Sequence, residues 1–110
     1  LDALFYRDYA ITLAYNGQIK VANEKLDEAI AKGLTEDSIY YAKSEMENAL
    51  GNLDLAIENM NKALALSNDI NLKQHAYIAL SNYYRSKNDL ENVKMTYLTV
   101  MTSLEFLMLI

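Results

Sequence analysis

Helix-breaking residues return along this chain at nearly constant intervals: Gly17, Gly51 and Asn88 lie 34 and then 37 residues apart. Around each breaker the same residue types recur in register. Ala10, Ala22, Leu26 and Ala29 surround Gly17; Ser44, Ala56, Met60 and Ala63 surround Gly51; Ser81, Val93, Tyr97 and Val100 surround Asn88. A period of this length marks stacked supersecondary units rather than one closed core, and about three units are the minimum for a stable array. The units fall at about 3–36, 37–73 and 74–110 and together form one domain.

Each unit reads as a pair of helices. The apolar spacing of Leu4, Tyr6, Tyr9, Ala10 and Leu13 predicts a first helix over about 2–16, ended by Gly17, where a left-handed residue is needed. The second runs over about 18–32 and is closed by Gly33. Thr35 is the expected N-cap of the third, Asn52 of the fourth, Asp69 of the fifth and Asp89 of the sixth. Glu28 with Lys32 and Glu58 with Lys62 have the favourable i,i+4 orientation on the second helices. A chain without proline and with three glycines suits an all-helical fold, and 52% hydrophobic with 23% charged residues makes it globular.

The motifs and spacings resemble the tetratricopeptide repeat, a helix-turn-helix unit of 34 residues with small residues where its helices cross. The stretch from Asn48 to Glu58, with Leu50, Gly51 and Ala56, carries the resemblance best and continues into Lys62, Ala63 and Leu64. Tyr6, Tyr40 and Tyr77 open the first helices, and Ala10, Ser44 and Ser81 supply the small residue facing the partner helix. Leu34 and Asn68 stand where the family has proline, and Val93 and Val100 are bulkier than its usual small residues. The resemblance implies an all-α, right-handed superhelical solenoid of three antiparallel helix pairs. It also implies a protein-protein interaction scaffold that takes a peptide or helix of a partner in its concave groove. The groove positions implied are Arg7, Ile11, Tyr41, Glu45, Asn48, His75, Ile78, Asn82 and Arg85. Chaperone-binding members use a carboxylate clamp of Lys, Asn and Arg; here Glu45 would repel a carboxylate, so the expected ligand is a mixed apolar and polar peptide. The alternative is a sensory or regulatory segment of a longer bacterial signalling or transcription-regulating protein. Abundant Asn, Lys, Ile and Tyr fit an AT-rich bacterial genome.

Other chemistries find little purchase. His75 is the single histidine, and no nucleophile with an orienting acid accompanies it, so no catalytic residue is assigned and the chain reads as non-enzymatic. Glu24, Asp27, Glu28, Glu45 and Glu47 read as solvated helix faces, because no calcium loop or histidine partner goes with them. There is no glycine-rich phosphate loop, no metal set and no implied cofactor. A net charge of −5 with scattered Lys and Arg argues against nucleic-acid binding by this segment. The absence of cysteine excludes disulfides without fixing a compartment, and localisation stays open between cytoplasm and periplasm. Leu1 in place of an initiating methionine reads as the start of a segment of a longer or processed chain.

The C-terminal segment is apolar on several faces, with Lys94 and Glu105 its charges between Val93 and Ile110. Its dense run from Leu104 to Ile110 is far shorter than the roughly 20 residues a bilayer span needs. Repeat arrays require an end cap with a polar outer face, which is missing here. Val100, Leu104, Leu107 and Met108 are therefore expected to be covered, by a second copy in a homodimer or by further residues of a longer chain.

Overall fold

Four of the five interhelical turns close with the same backbone device. The computed structural model describes the backbone of residues 2–109 and the side chains of residues 2–103. Its helices are α1 (Ala3–Tyr15), α2 (Ile19–Ala31), α3 (Asp37–Ala49), α4 (Leu53–Leu66), α5 (Ile70–Ser86) and α6 (Leu90–Leu109), with no strand among the described residues. At the end of α1 the Gly17 N–H donates to the Ala14 carbonyl and the Gln18 N–H reaches back to that of Leu13. The same pair of bonds recurs at Gly33 and Leu34, at Gly51 and Asn52, and at Asn88 and Asp89. This Schellman closure needs a left-handed residue. The three glycines have φ of 80°, 86° and 85°, and Asn88, at 57°, is the one non-glycine residue with positive φ among the described residues. Asparagine is tolerated there because its short polar side chain can bond locally.

Helix starts are less uniform than expected. Asp69 accepts from the backbone N–H groups of Asn71 and Leu72, and Asp89 from that of Asn92, so both cap as predicted. Thr35 lies outside α3, whose N-cap is Glu36 and makes no side-chain cap. Asn52 sits at the N-cap of α4 but turns its amide away, donating to Glu47 Oε2 at 3.0 Å.

Each helix packs on the next along the chain, and α1 also packs on α3. Where helices cross, Ala10, Ala22, Ala29, Ser44, Ala56 and Ala63 are fully buried. Side chains this small allow close approach of the backbones. The Ser44 hydroxyl uses that approach to donate to the Ala56 carbonyl across the α3–α4 crossing at 2.5 Å. Two apolar clusters lie side by side along the stack. Tyr6, Leu26, Ile39 and Met46 belong to the first; Met60, Ala76, Leu80 and Tyr83 belong to the second, with Tyr40 and Tyr41 packed against it. Tyr6 is buried in the first cluster and Tyr40 packs against the second, while Tyr77 is half-buried.

The 37-residue interval has a visible consequence. Helix α5 has 17 residues against 13 in α1 and α3, and the addition is an extra N-terminal turn beginning at Ile70. The third unit also departs from the common burial pattern. Leu26 and Met60 are fully buried, yet their counterpart Tyr97 is half exposed, and among the described residues of α6 it is Thr96 that is buried. Val93 and Val100 stand where the other units have alanine, and among the described residues the main packing of α6 is on α5.

One carboxylate read as solvated is interior. Glu47 is only 3% exposed and accepts from Asn23, Asn52 and Lys43, while Lys43 also reaches Asp27 at 2.7 Å. Burial pushes the Glu47 carboxyl up, but hydrogen bonds from Asn52 and Asn23 and the charge of Lys43 outweigh it and hold the group below its usual range. The network joins α2, α3 and the α3–α4 turn.

Candidate functional site

The first helices of all three units contribute to one cavity of about 380 Å³. Arg7 and Ile11 enter from α1; Ser38, Tyr41, Ala42 and Glu45 come from α3; Asn71, Leu72 and His75 come from α5, with Asp69 at its cap. The reason for this convergence is local. On a helix, residues three and four apart share a face, which sets Ser38, Tyr41, Ala42 and Glu45 on one side of α3 and Leu72 with His75 on one side of α5. The extra first turn of α5 brings Asn71 and Leu72 to the opposite wall. Among the described residues α3 and α5 make no packing comparable to that of α1 on α3, and the cavity lies between them.

Glu45 is the electrostatic centre of this surface. It also lines an adjoining cavity of about 330 Å³ with Ile11, Ala14, Tyr15 and Met46. Among the described residues it has no ion-pair partner. The concave wall surrounds the carboxylate without covering it, and the resulting loss of hydration pushes its carboxyl above the usual range. Burial likewise raises the neighbouring Tyr41 phenol, with the negative charge of Glu45 and then Tyr83 adding to it. Arg7, by contrast, is compensated. Its guanidinium donates through Nε and Nη2 to Asp8, at 3.1 and 3.0 Å. Asp69 is committed to capping α5. A ligand entering here therefore meets apolar side chains, a phenol and two carboxylates that have no ion-pair partner among the described residues, those of Glu45 and Asp69.

Of the positions named from the sequence, Arg7, Ile11, Tyr41, Glu45 and His75 come together in this cavity. Asn48, Ile78, Asn82 and Arg85 do not line it. Ile78 is exposed on α5, and Asn48 is exposed near the end of α3. Arg85 is engaged on the α5–α6 side, donating to Asn82 Oδ1 at 3.0 Å and to the Tyr97 hydroxyl at 2.9 Å. Ser38, Ala42, Asp69, Asn71 and Leu72 were not named as groove residues, and the signal that points to the last three is the longer interval before Asn88. Of the expected self-association residues, Val100 is half-buried, and Leu104, Leu107 and Met108 lie outside the described side chains. No group of three or more His, Asp or Glu side chains among the described residues is placed to hold a metal ion. No described helix is long and apolar enough to cross a membrane.

Comparison with protein-family models, with curated proteins and with solved structures finds no match to this chain.

Proposed function

We propose that this chain is a protein-interaction module of the tetratricopeptide type, three helix pairs wound into a right-handed superhelix whose concave side takes a segment of a partner protein. Packing of each helix on the next, with α1 also on α3, and a closure repeated at four turns support that architecture. The observation that carries the function is the cavity shared by α1, α3 and α5, apolar in its walls and holding the uncompensated Glu45. A partner segment that fits it presents an aliphatic or aromatic side chain beside a lysine or arginine: the first fills the space against Ile11, Tyr41 and Leu72, and the second neutralises Glu45. His75 serves in partner contact rather than catalysis, and the module works without a cofactor.

Screening a displayed library of short peptides tests this reading. Peptides retained by the chain should combine an apolar anchor with a basic residue, and their binding should weaken as salt rises. Tyr41→Ala should abolish retention, whereas Glu45→Gln should remove the preference for basic residues and most of the salt dependence. Retained peptides that are indifferent to both substitutions would overturn the assignment of this groove.

A further inference from the structure

A further cavity, of about 580 Å³, lies against α1 and is lined by Asp2, Leu4, Phe5, Asp8, Tyr9 and Thr12. Moved by the 34-residue repeat, these positions become Glu36, Ser38, Ile39, Ala42, Lys43 and Met46. On α3 that face is occupied. Ile39, Ala42 and Met46 are buried in the first cluster, and Lys43 bonds to Asn23 and Asp27 of α2. The α3 face that packs on α1 and α2 within the chain, with Ser38 and Ala42 at its edge toward the concave cavity, is thus the counterpart of the cavity on α1. Phe5 and Tyr9 stand in it 42% and 40% exposed.

The other end of the molecule carries the complementary face. The α2 positions directed at α3 include Leu26, Asp27 and Ile30, which correspond to Met60, Asn61 and Leu64 on α4 and to Tyr97, Leu98 and Met101 on α6. Leu26 and Met60 are fully buried, and Ile30 and Leu64 pack against the clusters. On α6 the same three positions are 50%, 46% and 56% exposed. The rims differ in sign as well. Asp2 and Asp8 border the α1 cavity, and exposed Lys94 stands on α6 at the register position of Asn23, which within the chain faces Lys43 and Glu47.

We infer that the two end faces are the halves of one interface, through which α6 of one copy seats on α1 of a second copy as α2 seats on α3. The occupant is a second copy because this one chain presents both the α1 cavity and the helix face that matches it in register. Such a contact is heterologous and does not close on two copies, so association proceeds beyond a dimer to a ring or an open array. The inference concerns the ends of the helix stack and is independent of what the concave groove binds.

Sedimentation of the chain over a range of concentrations tests it, with mixing of two variants as the deciding step. The wild type should form species larger than a dimer as concentration rises. Phe5→Glu with Tyr9→Glu should be monomeric, and so should Leu98→Glu with Met101→Glu; circular dichroism checks that each remains helical. Should the first pair unsettle α1, Thr12→Arg on the exposed rim of the same cavity replaces it. Mixed in equal amounts, an α1 variant and an α6 variant should form one-to-one dimers and nothing larger, because each supplies the face that the other lacks. A wild type that stays monomeric throughout overturns the inference, as does a mixture that stays monomeric. An α1 variant that dimerises by itself also overturns it, since that result defines a two-fold pair through α6 alone.

Discussion

Ser44 and Ser81 occupy the same place in successive repeats and differ in one hydrogen bond. The Ser44 hydroxyl donates across the helix crossing to the Ala56 carbonyl. That of Ser81 is as deeply buried and has no partner among the described residues. The corresponding acceptor would be the carbonyl of Val93, which stands where the second unit has Ala56. A satisfied buried hydroxyl contributes a little to stability, whereas an unsatisfied one costs its lost hydration. Ser44→Ala should therefore lower stability by about 1 kcal/mol, while Ser81→Ala should raise it by about the same amount. Urea unfolding of the two variants checks the contrast. Equal losses at both sites would mean that the Ser81 hydroxyl is bonded in solution.

At the level of helices, packing of α2 on α3 combines the first apolar cluster with a polar clamp. Glu47 holds Asn23 of α2 and Asn52 of the α3–α4 turn, and it shares Lys43 with Asp27. Because the folded-state carboxyl titrates below its ordinary value, the folded protein binds a proton at Glu47 less readily than the unfolded chain does. The resulting stability is fully present above the ordinary carboxylate pKa of 4.5 and is lost as pH falls through the lowered folded-state value. Glu45 contributes with the opposite sign. Its raised carboxyl makes the ionised form unfavourable to the folded state, a contribution felt as pH rises past the ordinary value. Glu47→Gln should consequently flatten the acid limb of a stability-versus-pH curve. Glu45→Gln should leave that limb intact and give a slight gain at neutral pH. Chemical denaturation between pH 3 and pH 7 distinguishes the two, and an unchanged acid limb in Glu47→Gln would remove the clamp from the account.

Across the whole molecule, stability is distributed by neighbours. The radius of gyration is 14.5 Å, somewhat above the about 13 Å expected of a compact domain of 110 residues. Helix α3 packs on α1, α2 and α4, whereas the main packing of α6 among the described residues is on α5. Local opening starts where an element has fewest neighbours. Native-state hydrogen exchange should find the amides of α6 the fastest among the helices and those of α3 and α4 the slowest. Uniform protection from α1 to α6 would instead describe one indivisible cooperative unit.

Helix identity and order were legible because they depend on local chemistry that a sequence displays. Gly17, Gly33, Gly51 and Asn88 mark the left-handed positions, Asp69 caps α5 and Asp89 caps α6, and the small residues at Ala10, Ala22, Ser44, Ala56 and Ala63 mark the crossings. Arg7, Ile11, Tyr41, Glu45 and His75 follow from the resemblance to the tetratricopeptide repeat; helical periodicity adds only that residues three and four apart share a face. What the tertiary structure decided was the fate of groups whose environment comes from elsewhere in the chain. Asn52 has the composition of a cap, yet a buried carboxylate five residues earlier competes for its amide and prevails. Glu47 and Glu45, two residues apart on one helix, end in opposite electrostatic settings because one faces the amides of α2 and the α3–α4 turn while the other faces an open concavity. The interval of 37 residues was visible in the sequence. Its placement as an extra turn of α5, which brings Asn71 and Leu72 to the wall of the groove, was settled by how that helix docks on α4.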